Sequence, residues 1–294
     1  MWRTRAWRFL IPALAVALGP SLAVGQAPAR PIQDSTLSIL FLDVGQGDAV
    51  LIVTPEHKRI LIDAGPGMTS ARRELWEGPD TIDLVIASHN HDDHIGGMAW
   101  VFDRFVVRAY MDNGVPHPTA TYQRTMRAVE AESTQYLRAE QRTITVGSVM
   151  LRILPPLLVD GTQNDNSVGV LLEFGKFRAL FTGDAEQRQL SRWLRDQRIP
   201  RVQVLKAAHH GARNGFTPLL AQVAKPGAVF VSVAARNGYG HPAPSVLRAW
   251  ERAGARIYRT DRDSTIIVRG KFDGSYEVFP TANRVRSVPM KAPE

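Results

Sequence analysis

The chain has 294 residues, 44% of them hydrophobic and 22% charged, the balance of an ordinary globular protein. It contains no cysteine, which excludes a disulfide framework, a thiolate metal site and a thiol nucleophile. The formal charge of +8 suits anionic partners such as nucleic acid, phosphate esters or envelope polymers, although an arginine-rich composition alone gives the same sum.

The first segment, "MWRTRAWR", carries Arg3, Arg5 and Arg8 with no acid, and the apolar run "FLIPALAVALGPSLAVG" follows it. Small residues then precede Gln26. That order predicts a secretory signal peptide over residues 1–27, cleaved after Gly25 or Ala27 and leaving a mature charge of +5. An uncleaved membrane anchor is the alternative, because the run is near the lower limit for a bilayer span. No second long apolar run follows, so a soluble, exported protein is expected, periplasmic or secreted. A linker over 28–36, one domain over 37–281 and a tail over 282–294 complete the expected organisation.

Along the domain, "LSILFLDV", "AVLIVTP" and "RILIDAG" read as strands ended by Gly, Pro or Asp. "TIDLVIASH" reads as a buried strand and "HIGGMAWVFDRF" as a helix, by the spacing of its apolar residues. "SVGVLLEF" and "FRALFTGD" read as a strand pair, "AEQRQLSRWLRDQ" as a helix and "RVQVLKAAHH" as a strand. The helix "FTPLLAQVA", the strand "GAVFVSVA", the helix "APSVLRAWERAG" and the strands "STIIVRG" and "SYEVFP" close the chain. Two β-rich halves with interspersed helices predict an α/β sandwich, two sheets packed face to face with helices outside.

At the junction of buried strand and helix stands "SHNHDDHIGG", residues 88–97. In extended chain, residues two apart point the same way, so His89 and His91 can grip one ion together. The turn into the helix then moves Asp93 and His94 beside a second position. Imidazole and carboxylate without sulfur suit zinc, manganese or iron. Gly96 and Gly97 let the helix start pack closely against the sheet. A polar loop of surface histidines is the alternative, but the H-x-H-x-D-H spacing directly after a buried strand argues against it.

"SHNHDDHIGG" resembles the signature of the metallo-β-lactamase superfamily. "FLDVGQGDAVLI", "NDNSVGVLLEFGKFRALFTGD", "LKAAHHGAR" and "NGYGHPAPSVLRAWERAGARIYRTD" resemble the exported hydrolase domain of ComEC-type DNA-internalisation competence proteins, a likeness covering roughly residues 37–270. The resemblance implies an αββα sandwich and two divalent ions, zinc first, held by His89, His91, Asp93, His94, Asp184 and His209. Asp184 matches the bridging carboxylate. One histidine of the pair in "AAHH" matches the next ligand: His209 is expected there, with His210 supporting it or contacting a phosphate, and the reverse assignment is the alternative. His241 matches a histidine at the mouth, a proton donor or a further ligand, in a turn before Pro242 that can aim its ring. Asp63 matches a buried aspartate that holds the metal loop. Asp43, Gln46 and Asp48 are expected to reach the site in a turn, or merely to shape a hairpin. Tyr239 accompanies His241 as a substrate contact. Lys206 and Arg213 flank "HHG", where they can receive a phosphate, with solvated surface charge the default for Arg213. Three departures stand out. "QNDNS" replaces the usual third histidine of the first metal, so Asn164, Asp165 or a water is expected there. Ala212 replaces a common serine. The many-span channel of competence proteins has no counterpart, so a free-standing exported relative is expected.

A divalent metal lowers the pKa of bound water to about 7, and a second ion ~3.5–4 Å away stabilises both attacking and leaving oxygens. With Asp93, His210 and His241 as candidate catalytic groups, the first expectation is a phosphodiesterase acting on nucleic acid or an envelope phosphodiester. Hydrolysis of a lactam or lactone is second, weakened by the missing histidine. A non-catalytic metal- or nucleic-acid-binding module is third. The nearly intact ligand set argues against it, and no strong pattern of interleaved aromatic and basic residues supports it.

Overall fold

Alternation in "TLSILF" puts Leu37, Ile39 and Phe41 on one buried face, and that face organises the molecule. The computed structural model describes residues 36–67, 79–132, 134–156 and 162–282. The expected signal peptide, and nearly all of the expected linker and tail, lie outside the described residues.

One sheet contains β1 (Thr36–Phe41), β2 (Val50–Val53), β3 (Arg59–Ile62), β5 (Leu84–Ile86), β7 (Ala109–Asp112), β8 (Gln135–Arg138), β16 (Ile266–Lys271) and β17 (Tyr276–Pro280), in the order β17-β16-β1-β2-β3-β5-β7-β8. The other contains β9 (Thr143–Val146), β10 (Val149–Leu154), β11 (Gly169–Phe174), β12 (Phe177–Phe181), β13 (Val204–Lys206), β14 (Ala228–Val231) and β15 (Arg256–Arg259), in the order β15-β14-β13-β12-β11-β10-β9. Both are mixed: β3-β5-β7-β8 and β12-β13-β14-β15 run parallel, and the remaining pairings are antiparallel. Short β4 (Thr81–Ile82) and β6 (Val106–Val107) pair separately.

The sheets pack face to face. Phe41 of the first stacks on Phe230 of the second with ring centroids 4.2 Å apart, inside a core that also joins Ile39, Ile52 and Val268 to Leu172, Phe177 and Phe181. Each outer face is covered by helices. Met98 and Phe102 of the helix Met98–Arg104 and Val129 of the helix Ala120–Ala131 pack beneath the first sheet with Val85 and Tyr110. Leu190 and Trp193 of Gln187–Arg195, Leu220 of Pro218–Ala224 and Trp250 of Pro244–Arg252 cover the second. This is the expected αββα sandwich.

Several elements differ from expectation. The strand expected in "TIDLVIASH" is broken at Asp83, whose carboxylate accepts a 3.0 Å hydrogen bond from the Arg59 amide. The helix expected over "HIGGMAWVFDRF" splits into Asp92–Ile95 and Met98–Arg104. Gly96 lies at the split, where a Cβ would fall 2.4 Å from the Pro66 carbonyl oxygen, so the glycine permits the expected close approach. The strand expected over "RVQVLKAAHH" is confined to Val204–Lys206, and both histidines lie beyond it. Strands β6 to β10 and the helix Ala120–Ala131 fill a region whose weak patterning suggested no element.

Candidate metal centre

Parallel strands gather loops at their carboxyl ends, the usual position of ligand sites in sheets of this kind. Asp63 follows β3, the 88–97 loop follows β5, and Asp184 follows β12. His209 and His210 follow β13, and the segment to His241 follows β14. The turn between β1 and β2 is fastened to the metal loop by the Asp48 amide, which donates to the Asp93 carbonyl at 3.1 Å. A Cβ on Gly47 would lie 2.3 Å from that same carbonyl oxygen, so only glycine lets the two loops meet.

His89 Nε2 and His91 Nδ1 converge to 3.0 Å. Beside them, Asp93, His94, Asp184 and His210 offer ligand atoms that all lie within 4.8 Å of one another. His94 Nε2 is 3.3 Å from Asp184 Oδ2 and 3.9 Å from Asp93 Oδ2. His210 Nε2 is 3.4 Å from Asp184 Oδ2 and 3.2 Å from Asp93 Oδ2. Both His94 Nε2 and Asp184 Oδ1 are buried without a hydrogen bond among the described residues. Buried polar atoms are rarely left so. Lone pairs of imidazole and carboxylate aimed at one point fit a divalent cation.

The rear of each histidine is fixed. His94 Nδ1 donates to Asp63 Oδ2 at 2.8 Å, and Asp63 also accepts from the Ser88 amide and hydroxyl, each at 2.7 Å. His210 Nδ1 donates to the Ser232 carbonyl at 2.9 Å. A carbonyl can only accept, so the proton sits on Nδ1 and Nε2 is free for the site when the ring is neutral. Such supporting bonds orient a ligand and raise its basicity. Asp63, His209 and His210 all adopt left-handed backbone, with φ of 59°, 49° and 52°. Non-glycine residues rarely do so, and such strain clusters at functional sites.

The electrostatics divide the histidines. Burial, and then His94 close by, push His89 well below its ordinary value and keep it neutral. Burial opposes charge on His94 and His210 too, but the surrounding carboxylates, Asp184 foremost, outweigh it and raise both. Burial works the other way on Asp93, yet His94 and His210 hold it down at about 2. A compact patch of ionised carboxylates among imidazoles is therefore ready to exchange protons for a cation.

Of the pair in "AAHH", it is His210 that the structure seats in the cluster, 1% exposed, whereas His209 Nε2 stays 3.9 Å from Asp184 and its ring lines the cavity. The structure thus brings His210, and not the expected His209, into the cluster. Two successive left-handed residues turn the rings apart, and the second one points inward. Lys206 also lies elsewhere than expected. It is buried rather than open to a phosphate, ion-paired with Asp48, 3.7 Å from Asp184 and donating to the Gly183 carbonyl at 3.2 Å. Replacing Lys206 by alanine leaves Asp48 buried without this cation and is expected to cost about 3–5 kcal/mol. Urea denaturation measures it, and a loss below about 1 kcal/mol would show that the pair is not structural.

The other candidates fall as follows. Asp48 is no hairpin former but an anionic anchor, held below its ordinary value, against its burial, by Lys206 and His210. Asp43 stays in the turn, accepting from the Gly45 amide at 3.3 Å, and does not line the cavity. Gln46 lines it and accepts from the Ala234 amide at 3.3 Å. At the place of the missing histidine, Asn164 lines the cavity with its Oδ1 unpartnered, while Asp165 does not line it. Arg213 is exposed. Tyr239 and His241 stand at the mouth.

Sequence reasoning missed several residues. His117 lines the cavity with its ring 5.6 Å from that of His91, and the one signal is a histidine between two prolines after a strand. Glu186 accepts from Asn164 Nδ2 at 3.1 Å and sits 3.7 Å from His209 Nδ1. Asn90, Asn113 and Gln163 tie three loops together through bonds of 3.0–3.2 Å, a network no local pattern foretells. The resulting cavity holds about 580 Å³.

Residues 42–234 match the family described as the metallo-beta-lactamase superfamily. ComE operon protein 3 of Bacillus subtilis is 25% identical over 277 residues, covering 85% of this chain and 35% of that protein. Recombination protein 2 of Haemophilus influenzae is 27% identical over 240 residues, covering 79% and 28%. The chain thus spans roughly a third of the length of these curated relatives. Among solved structures, the metallo-beta-lactamase fold protein YhfI of Bacillus subtilis superposes with a TM-score of 0.56 at 12% identity, over 80% of this chain and 100% of its own. The metallo hydrolase Igni18 of Ignicoccus hospitalis gives 0.54 at 13%, over 78% and 98%. These two share the fold. The imidazole–carboxylate cluster stands at the strand ends of an αββα sandwich. The chain belongs to the metallo-β-lactamase superfamily.

Proposed function

We propose that the protein is an exported, metal-dependent phosphodiesterase. The observation that carries the reading is the Asp93–His94–Asp184–His210 cluster, with its buried unpartnered Nε2 and Oδ1 atoms, at the base of an open cavity. The likeness to ComEC-type relatives and the basic net charge support a phosphodiester as substrate.

His89, His91, Asp93, His94, Asp184 and His210 would hold up to two divalent ions, zinc, manganese or iron by ligand type. Such ions supply Lewis acidity and bring the pKa of bound water to about 7. The chain's own residues do the rest. Asp63 and the Ser232 carbonyl orient the rings of His94 and His210. His241 lines the cavity wall outside the cluster of converging ligand atoms, where its ring would give a proton to the leaving oxygen. In the net reaction the oxygen of water forms a bond to phosphorus as the bond from phosphorus to the leaving oxygen breaks. One proton of the water ends on the leaving alcohol, and the phosphomonoester remains.

Metal-reconstituted protein assayed side by side on bis(p-nitrophenyl) phosphate, single-stranded DNA, a lactone and nitrocefin tests the reading. Turnover of the two phosphodiesters is expected. Turnover of the lactone or nitrocefin alone would overturn it. Among the described residues no helix is long and apolar enough to cross a membrane. The export part rests on the basic, apolar and small-residue order of residues 1–27. A mature N-terminus at Gln26 or Pro28, read from the envelope fraction, is its expected result, and intact Met1 in the cytosol would sink it.

A further inference from the structure

Gln46 stands on the wall of the metal cavity, in the turn between β1 and β2. Gly45 and Gly47 on either side of it have φ of 79° and 146°, a backbone that lets the turn fold over the metal loop. Two residues on, the Asp48 amide is bonded to the Asp93 carbonyl, and the buried Asp48 carboxylate lies 3.4 Å from His210 Nδ1. The turn is thus fastened to the groups that form the metal cluster.

The carboxamide of Gln46 is oriented by one bond. The Ala234 amide, beyond β14, donates to Gln46 Oε1 at 3.3 Å, so the oxygen and the nitrogen are not interchangeable here. With the oxygen committed, Nε2 and its two N–H groups are left, and no described residue accepts from them. A carboxamide nitrogen has no lone pair to give a cation. Gln46 can therefore serve the cavity only as a donor, toward an electron-rich atom. Asn164, the other carboxamide among the described residues of the wall, is set the opposite way. Its Nδ2 donates to Glu186 at 3.1 Å, and its Oδ1 is the unpartnered atom.

We propose that Gln46 is a catalytic residue whose Nε2 donates a hydrogen bond to a non-bridging oxygen of the scissile phosphate. The proposal rests on the phosphodiesterase reading above and adds to it a protein group that takes up developing negative charge. Attack by water raises the charge on the oxygens that stay on phosphorus. A donor fixed beforehand stabilises that charge without rearranging as it develops. A neutral donor suits this place, since unlike a lysine or arginine it does not repel the divalent ions that the carboxylates gather.

Kinetics of metal-loaded wild type, Gln46→Glu and Gln46→Ala on bis(p-nitrophenyl) phosphate test this, with metal content and calorimetric affinity for orthovanadate measured on each. Gln46→Glu keeps an oxygen for the Ala234 amide and removes only the N–H donors, so the turn stays anchored. Orthovanadate places charged equatorial oxygens in the geometry of the transition state. Both variants are expected to keep their metals, to lose about 10²–10³-fold in kcat and to bind orthovanadate more weakly. A Gln46→Glu protein with wild-type kcat and orthovanadate affinity would overturn the assignment, leaving Gln46 only the task of tying two loops. A rise in KM with kcat unchanged overturns it too, because that is repulsion of the substrate by the new carboxylate. Loss of metal in step with rate does the same. If the wild type binds orthovanadate through Gln46 but turns over no phosphodiester, the donor stands and the proposed function fails. Turnover without any dependence on Gln46 is the reverse.

Discussion

Asp184→Ala is expected to strip divalent metal from the protein and to lower phosphodiester turnover by ~10³-fold or more, because the Lewis acid it secures stabilises the transition state by several kcal/mol. His94 and His210 both approach its Oδ2, at 3.3 and 3.4 Å, and its Oδ1 is buried without a hydrogen bond, 3.7 Å from Lys206 Nζ. His210→Ala should also lose metal, and His209→Ala should retain it, since only His210 lies within the cluster. Asp63→Asn should weaken metal affinity by roughly 10–100-fold while leaving the ligand atoms in place. Elemental analysis of each purified variant gives the metal content. Full occupancy in Asp184→Ala, or loss in His209→Ala with retention in His210→Ala, would contradict the assignment.

His241→Ala is expected to keep its metals and to lose about 10²–10⁴-fold in rate on a substrate with a poor leaving group. The loss should shrink on a p-nitrophenyl ester, whose leaving oxygen needs little protonation. The expectation follows from where the ring sits. It lines the cavity between Tyr239 and His210, its ring centroid 5.8 and 6.4 Å from theirs, and is outside the cluster of converging ligand atoms. If His241 is instead a ligand, metal content falls together with rate. If it only packs, both survive on a less stable protein. Equal losses on both leaving groups, with metal retained, would falsify the acid role.

Much of this site was legible in short stretches. The H-x-H-x-D-H spacing placed His89 and His91 side by side and Asp93 with His94 beyond the turn, because the period of a strand and the entry into a helix are local geometry. Asp63 and Asp184 were legible only through the resemblance to the metallo-β-lactamase superfamily, and the structure puts each one or a few residues past a buried strand. The broken strand at Asp83 and the unread region of β6 to β10 were not. There the decisive bonds come from residues distant in sequence, such as the Arg59 amide on the Asp83 carboxylate.

The sequence by itself determined the layered α/β class and the sulfur-free chemistry of the cluster around His89, His91, Asp93 and His94, because hydrophobic periodicity and i,i+2 spacing act over a few residues. Only the tertiary structure decided between His209 and His210. Adjacent histidines are equivalent as letters, and the left-handed backbone at both, with Ser232 and Asp184 brought in from other strands, turns one ring inward and leaves the other at the cavity wall. The same holds for Lys206, which reads in "LKAAHH" as a cation open to a phosphate but is buried against Asp48, more than 150 positions away in the chain. Burial of a charge depends on what the rest of the fold brings against it, and no local pattern carries that information.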